Sequence, residues 1–367
     1  MLRIDRRLLA HIEWPLLILA LLVSAVGLVT ILSATHHSDR LLTPYVVRQA
    51  TFASLGLVLM VVAISIDYRS LNRYAYALYA AVLLALLAVP FIGVSGGGAR
   101  RWLSLGPFGL QPSEFMKVAL VLALAHQLHR VAGERRLPLR RLIAPAILVG
   151  IPAGLILKQP DLGTAIALAM GAFTVLMVAG LPVRLLVISA LVIGPLLPYG
   201  WHHLKPYQQR RLTSFVDPES DPLGSGYHVL QSQIAIGSGQ VHGKGYLRGT
   251  QNKLNFLPEQ HTDFIFSVFA EEWGFVGAAV LLLLYLALIL RGAYIASRAR
   301  DNLGALLAAG LTGTIFWQVV INIAMTSGVL PVVGITLPFL SYGGSSMLAL
   351  LTSIGLLMNV SMRRYTF

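Results

Sequence analysis

Seven ionisable residues lie in or beside stretches of sequence that are otherwise apolar. They are Arg48, Glu114, Lys117, Lys158, Asp161, Glu271 and Glu272. An ionised group at the centre of a bilayer costs roughly 2.5–3.5 kcal/mol on insertion scales, so such groups persist where they pair or line a wet cavity. Three are cations and four are anions. Two interpretations therefore stay open: buried ion pairs that fix helix register, and a polar cavity for a charged head group.

Asp263 is the single residue with the clearest potential for chemistry. It lies where a long polar segment returns to an apolar one, within the motif of residues 257–266, LPEQHTDFIF. Aspartate is common as the N-cap of a helix, and a helix N-terminus favours the ionised carboxylate. A carboxylate at a membrane rim can instead act as a general base toward a hydroxyl group. From the residues alone, both roles are possible.

The composition indicates an integral membrane protein. Of the 367 residues, 56% are hydrophobic and 12% are charged, whereas an ordinary soluble domain has about 25% charged residues. A soluble chain of this length would lack the charge to cover its surface, and disorder requires low hydrophobicity. The net charge of +13 does not indicate nucleic-acid binding, because the basic residues fall mostly between apolar runs. The absence of cysteine excludes disulfides and thiolate sites.

Uncharged runs of about 20 residues predict the elements that must position these groups. The sequence predicts an all-α polytopic membrane protein, a single domain of about ten transmembrane helices with one large extracytoplasmic loop, residues 202–262, between helices 7 and 8. The predicted spans are 14–35, 47–66, 74–92, 112–129, 142–158, 162–182, 185–201, 263–290, 303–327 and 340–361. Within the loop, the spacing of Tyr227, Leu230 and Ile234 predicts a short amphipathic helix on the membrane face.

The distribution of basic residues predicts the orientation of these spans. Cytoplasmic connections are enriched in lysine and arginine. One set of connections carries most of the arginines: Arg3, Arg6, Arg7, Arg69, Arg73, Arg130, Arg135, Arg136, Arg140, Arg141, Arg184, Arg291, Arg298, Arg300, Arg363 and Arg364. The opposite short loops carry only Arg40, Arg100 and Arg101. Both termini are therefore predicted to be cytoplasmic, which places Asp263 at the outer face.

Several motifs together resemble the SEDS family (shape, elongation, division and sporulation) of peptidoglycan polymerases over nearly the whole chain. They are residues 98–103 (GARRWL), 111–114 (QPSE) with Lys117, 159–164 (QPDLGT), Tyr207-Gln208 with Arg211, 257–266, 330–334 (LPVVG) and 338–345 (PFLSYGGS). Residues 243–251, GKGYLRGTQ, are similar to the rod-shape (RodA) branch rather than the division branch. The family's fold, ten spans with a large loop after the seventh, coincides with the predicted topology.

The resemblance implies a peptidoglycan glycosyltransferase that polymerises lipid II, the undecaprenyl-diphosphate-linked disaccharide pentapeptide, for cell elongation and rod shape. The family's catalytic carboxylate matches Asp263, which would take the proton of the acceptor 4-hydroxyl as undecaprenyl diphosphate leaves. The expected substrate-binding residues are Arg48, Arg101, Glu114, Lys117, Lys158, Asp161 and Arg211. No cofactor is firmly implied, and a divalent cation (Mg or Mn) stays open.

The resemblance also implies partners and a location. The expected partners are a class B penicillin-binding protein transpeptidase, other elongation-complex proteins and membrane lipids, with no nucleic acid. The expected location is the bacterial cytoplasmic (inner) membrane, with the active site on the periplasmic or outer face. Two alternatives stay open: a lipid II flippase or transporter, since intramembrane charges also serve transport, and a scaffold for the penicillin-binding protein. Largely apolar cytoplasmic halves favour the polymerase over the transporter.

Overall fold

The structure is a computed structural model that describes residues 12–36, 43–96, 99–106, 108–132, 138–182, 225–250 and 259–365, with isolated residues between 183 and 224. Its helices are α1 (Trp14–Thr35), α2 (Pro44–Ser65), α3 (Tyr68–Arg73), α4 (Ala75–Ile92), α5 (Pro112–Leu128), α6 (Ile143–Lys158), α7 (Leu162–Val178), α8 (Ser225–Ser238), α9 (Ile265–Ser297), α10 (Asn302–Thr326) and α11 (Gly344–Met362). Three short strands, β1 (Val94–Gly96), β2 (Ala99–Leu105) and β3 (Phe108–Leu110), lie between α4 and α5.

The helical membrane fold predicted from composition is confirmed. Within the described residues, seven helical segments are long and apolar enough to cross a membrane: 14–35, 44–65, 75–92, 140–158, 265–297, 302–326 and 344–362. The predicted span 185–201 and the first part of the loop 202–262 lie largely outside the described residues. The count of ten spans and the position of the large loop therefore stay predictions. The predicted helix in that loop is present as α8.

Two helices, α10 and α11, form the buried centre of the bundle. α11 packs along α2, while α10 packs against α5, α7 and α9. Small residues on α10 permit this close packing, as they commonly do between membrane helices. A side chain at Gly310 would collide with Val121 of α5 and Val175 of α7. These small residues therefore serve contacts within the chain.

Helix α9 is interrupted at Gly274, where φ is 64° and ψ is −164°. The chain around residues 240–245 fills the break. Lys244 and Gly245 donate backbone N–H groups to the carbonyls of Glu271 and Glu272, both at 3.0 Å. An unbroken helix of 33 residues would be about 50 Å long, more than the roughly 30 Å hydrocarbon core requires. The break thus ends the membrane-length part of α9 near Gly274.

The side chains of Glu271 and Glu272, two of the seven charged residues, stabilise the packing around the break in α9. The Nζ of Lys244 lies 2.6 Å from Oε1 of Glu271, and Ser33 of α1 donates a hydrogen bond to Glu272. Both carboxylates are almost completely buried, at 0% and 2% exposed. For Glu271 and Glu272 the structure therefore favours the interpretation in which buried polar contacts fix the positions of helices, rather than the one in which they line a cavity for a head group.

The strands between α4 and α5 were not predicted from the sequence. They form an antiparallel sheet in the order β1-β2-β3, with Val94 opposite Trp102 and Leu103 opposite Leu110. The strands are only three to seven residues long, so they give little periodic signal. The sheet matters for function because β2 carries Arg101.

Candidate functional site

A cavity of about 610 Å³ lies at one end of the bundle. The first turns of α5, α7 and α11 meet there with the turn before α9 and the connection between α10 and α11. Its polar lining includes Arg48, Arg101, Gln111, Glu114, Asp161, Glu259, Asp263 and Gln318, and its apolar lining includes Phe52, Trp102, Ala167, Val333 and Ile335. The cavity thus combines charged groups with apolar walls, as a site for an amphiphilic ligand requires.

Asp263 lies in the turn that precedes α9 and contributes to the cavity wall. The helix begins at Ile265, and its N-cap is Phe264, with no side-chain capping bond. The interpretation of Asp263 as an N-cap is therefore wrong. Its backbone is held instead by Asn322 of α10, whose Nδ2 donates to the carbonyl of Asp263 at 2.9 Å and to that of Ile335 at 2.6 Å.

The connection between α10 and α11 also packs against Asp263. Gly334 has a φ of +77°, and a Cβ atom built there would lie 3.3 Å from Oδ2 of Asp263. Only glycine adopts this left-handed conformation without steric cost. The backbone at Gly334 can therefore approach the carboxylate closely.

Glu114 and Lys117, three residues apart on α5, form an ion pair. The Nζ of Lys117 lies 3.0 Å from Oε1 and 2.9 Å from Oε2 of Glu114, and both side chains are buried. Glu114 lies in the first turn of α5, where the positive end of the helix dipole stabilises a carboxylate. Glu114 lines the main cavity, while Lys117 lines a smaller adjoining pocket that shares Glu114 and Gln318.

Asp161 is paired with Arg101 of β2. Asp161 caps α7 by accepting a hydrogen bond from the backbone N–H of Thr164 at 3.2 Å. Its Oδ2 accepts a bond from Nε2 of Gln111 at 3.2 Å and lies 3.9 Å from Nη1 of Arg101. Arg101 also donates to the carbonyl of Gln159 at 3.2 Å. These contacts join the sheet to the start of α7.

The other expected binding residues have different positions. Arg48 is exposed and lines the cavity. Lys158 is exposed at the last residue of α6 and is not part of the cavity lining. Arg211 lies outside the described residues. The structure therefore brings Arg48, Arg101, Glu114, Asp161 and Asp263 to one cavity, with Lys117 behind Glu114.

Two lining residues were missed by the sequence analysis as site candidates. Glu259 lies within the quoted motif, but its proximity to the cavity depends on the turn before α9. Gln318 is an uncharged residue in the interior of α10, and a search limited to charges does not find it. The sequence did contain a signal for Gln318, namely a polar amide in an otherwise apolar helix. Such a group needs hydrogen-bond partners in a membrane.

His261 lies two residues before Asp263 and packs against aromatic rings. Its ring centroid is 4.6 Å from that of Tyr45 and 5.7 Å from that of Tyr342. Burial lowers the pKa of His261 below its usual value of 6.5, and the nearby charge of Glu259 opposes this shift. The lowered pKa favours a neutral imidazole at neutral pH. His261 then adds no positive charge beside Asp263.

The arrangement of the cavity is suited to the transfer of a group from an anionic leaving group to an acceptor hydroxyl. Asp263 can accept the proton of a hydroxyl, and Arg48 and Arg101 can stabilise developing negative charge. Among the described residues, no group of three His, Asp or Glu side chains is placed to hold a metal ion.

Comparison with known proteins gives consistent matches over nearly the full chain. The sequence model of the FtsW/RodA/SpoVE cell cycle protein family matches residues 13–366. The chain is 41% identical to the peptidoglycan glycosyltransferase MrdB of Escherichia coli K12, covering 96% of this chain and 94% of MrdB. Among solved structures, it is similar to a chain of a peptidoglycan synthase complex that coordinates polymerization and crosslinking, at 37% identity, with a TM-score of 0.83 and coverage of 97% and 99%. It is also similar to the rod shape determining protein RodA of Thermus thermophilus, at 34% identity, with a TM-score of 0.72 and coverage of 97% and 98%.

Proposed function

Because this chain belongs to the FtsW/RodA/SpoVE family, we propose that it is a peptidoglycan glycosyltransferase that polymerises lipid II, with Asp263 as its general base. The observation that carries the assignment of the base is the position of Asp263. Asp263 is not the N-cap residue of α9, and it lines a cavity that also contains two arginines. A carboxylate on the wall of this cavity is placed to meet a substrate.

In the proposed reaction, Asp263 takes the proton of the acceptor sugar's 4-hydroxyl. The hydroxyl oxygen forms a bond to the anomeric carbon of the donor as the bond from that carbon to the diphosphate oxygen breaks. The electron pair of the broken bond leaves with undecaprenyl diphosphate. General base catalysis of this kind contributes about 10²–10⁴-fold to the rate.

The leaving diphosphate needs positive charge near its oxygens. Arg48 and Arg101 are the cations of the cavity wall, and Lys117 lies behind Glu114. Four carboxylates, Glu114, Asp161, Glu259 and Asp263, line the same cavity, so formal negative charge exceeds positive charge there. Added divalent cations are therefore a variable that the assay must include.

We further propose that the chain lies in the bacterial inner membrane with both termini in the cytoplasm and the cavity facing outward. The distribution of arginines supports this orientation. A class B penicillin-binding protein is the proposed partner, since one similar structure is a peptidoglycan synthase complex. Other elongation-complex proteins and membrane lipids are also proposed partners.

The function can be tested with the purified full-length protein, alone and with its penicillin-binding protein, in nanodiscs containing lipid II. The transpeptidase is blocked with a β-lactam, and glycan length is read on a gel with and without Mg²⁺ or Mn²⁺. We expect glycan polymer from the wild-type protein. If the protein forms no polymer under any of these conditions and, in a parallel assay with sealed vesicles, moves lipid II across the membrane, it is a transporter and the proposal is wrong.

Replacing Gly334 with alanine should slow polymerisation while the protein still folds. A non-glycine residue in the left-handed region costs about 1–2 kcal/mol, and the new Cβ would lie 3.3 Å from Oδ2 of Asp263. We expect the displaced carboxylate to lower the initial rate by about tenfold, since a small misplacement of a catalytic group has large effects. Gly150→Ala is the matched control, because no atom lies within 4 Å of a Cβ there. Equal rates for the two variants would contradict this prediction.

A further inference from the structure

Gln318 combines deep burial with a position on the cavity wall. It lies in the interior of α10 and is only 2% exposed. It lines both the main cavity and the smaller pocket that contains Lys117. The side chain therefore borders both the cavity that contains Asp263 and the pocket that contains Lys117.

The carbonyl oxygen of the Gln318 side chain, Oε1, is buried and has no hydrogen-bond partner among the described residues. Burial of an unpartnered polar oxygen is unfavourable. Asn322, one turn later on α10, has an evident structural role, because its Nδ2 bonds two backbone carbonyls. No such contact within the described part of the chain accounts for Gln318.

We infer that Gln318 binds the sugar portion of lipid II, its amide turning toward the cavity so that Oε1, which has almost no accessible surface in this structure, accepts a hydrogen bond from a sugar hydroxyl or an acetamido N–H. This inference rests on the proposed function and deepens it. Oε1 needs a partner that carries a hydrogen, whereas the ionised diphosphate offers only acceptor oxygens. The diphosphate therefore cannot satisfy this oxygen, while either sugar group can.

The location agrees with the assignment to the sugar. Gln318 shares the cavity with Asp263, which acts on a sugar hydroxyl in the proposed reaction. Asn322 holds the backbone of Asp263 and lies four residues from Gln318 on the same helix. Four residues correspond to a rise of about 6 Å along a helix. Gln318 thus lies about one helical turn from the residue that holds the backbone of Asp263.

The test compares Gln318→Met, which preserves the size of the side chain and removes both polar atoms, with the wild-type protein. The readouts are the apparent Kd for lipid II in nanodiscs, the initial polymerisation rate and the Tm. We expect the Kd to rise about 3- to 10-fold, as for loss of one hydrogen bond. We expect the Tm to stay equal or rise, because the substituted oxygen has no partner in the described protein.

Thr312→Val is the matched control. Thr312 lies on the same helix, its Oγ1 is also buried without a partner among the described residues, and it is not part of the cavity lining. We expect this variant to bind lipid II as the wild type does. If Gln318→Met binds lipid II with the same Kd as the wild-type protein, the inference is wrong. It is also wrong if the Tm of Gln318→Met falls by several degrees, because Gln318 would then have a structural role.

A lipid II analogue with 2-O-acetyl groups in place of the 2-acetamido groups identifies which sugar group donates the hydrogen bond to Oε1. If the acetamido N–H binds Oε1, the wild-type protein will bind the analogue more weakly than lipid II and Gln318→Met will not discriminate. If a hydroxyl binds it, both proteins will show the same ratio of Kd values between the two ligands. A wild-type protein without polymerase activity would contradict the proposed function. The comparison of Kd values would still test the role of Gln318, because it measures binding directly.

Discussion

Asp263→Asn should abolish glycan polymerisation, with a loss of at least about 10²-fold in the initial rate. Asparagine has the shape of aspartate but cannot accept the proton of the acceptor hydroxyl, so the contribution of general base catalysis is lost. The fold should persist, because Asn322 binds the backbone carbonyl of Asp263 and not its side chain. The measurement is the rate of glycan formation from lipid II with the transpeptidase blocked.

Glu259→Gln is the matched control for this prediction. Glu259 is a second carboxylate on the cavity wall, four residues before Asp263, and its Oε2 accepts a hydrogen bond from Thr262 at 3.1 Å. We expect this variant to keep a rate within about tenfold of the wild type. A folded Asp263→Asn protein with normal activity, or a larger loss at Glu259, would show that the base has been assigned to the wrong carboxylate.

The second large effect is expected at the buried Glu114–Lys117 pair. Glu114→Gln leaves the Lys117 ammonium group without its carboxylate at a position where the side chain is 5% exposed. Removal of one partner of a buried ion pair costs about 3–5 kcal/mol, because an uncompensated charge stays buried. We expect a large drop in thermal stability in detergent, measured as loss of monodisperse protein after heating.

The double variant Glu114→Gln with Lys117→Met separates stability from function. With both charges removed, stability should return toward that of the wild type, while polymerisation should stay at least about tenfold reduced, because the cavity wall has lost the charged group at Glu114 and the cation behind it. Arg69→Gln, at the exposed Arg69–Asp301 pair, should cost no more than about 1 kcal/mol. A double variant as unstable as the single one would show that the pair does not act as a unit.

Helix spacing and composition made part of the site predictable. The low charge content and the apolar runs indicated a membrane bundle. The contact between Glu114 and Lys117 was also predictable, because residues three apart on a helix are neighbours whatever the helix packs against. The motif at 257–266 singled out Asp263. The first two inferences depend on the solvent that surrounds the chain and on short-range geometry, whereas the choice of Asp263 depends on the resemblance of its motif to a known family.

Other predictions failed because neighbours distant in sequence decide the result. The N-cap role, one of the two left open for Asp263, is wrong because α9 begins one residue later than that role requires. The partner of Asp161 could not be read from sequence spacing, because the sheet brings Arg101 to it from about 60 residues earlier in the chain. Short strands without periodic pattern made that sheet invisible to sequence analysis.

The sequence by itself determined that the chain must be a membrane-embedded helical bundle and which polar groups it must accommodate, because the cost of exposing polar groups to lipid acts on every segment separately. Only the tertiary structure decided which of those groups share a cavity. It placed Asp263 against Gly334, buried Gln318 on the cavity wall, and used Glu271 to hold the loop at the break in α9. The physical reason is that these contacts join residues far apart in the chain, so their geometry depends on how all the helices pack together.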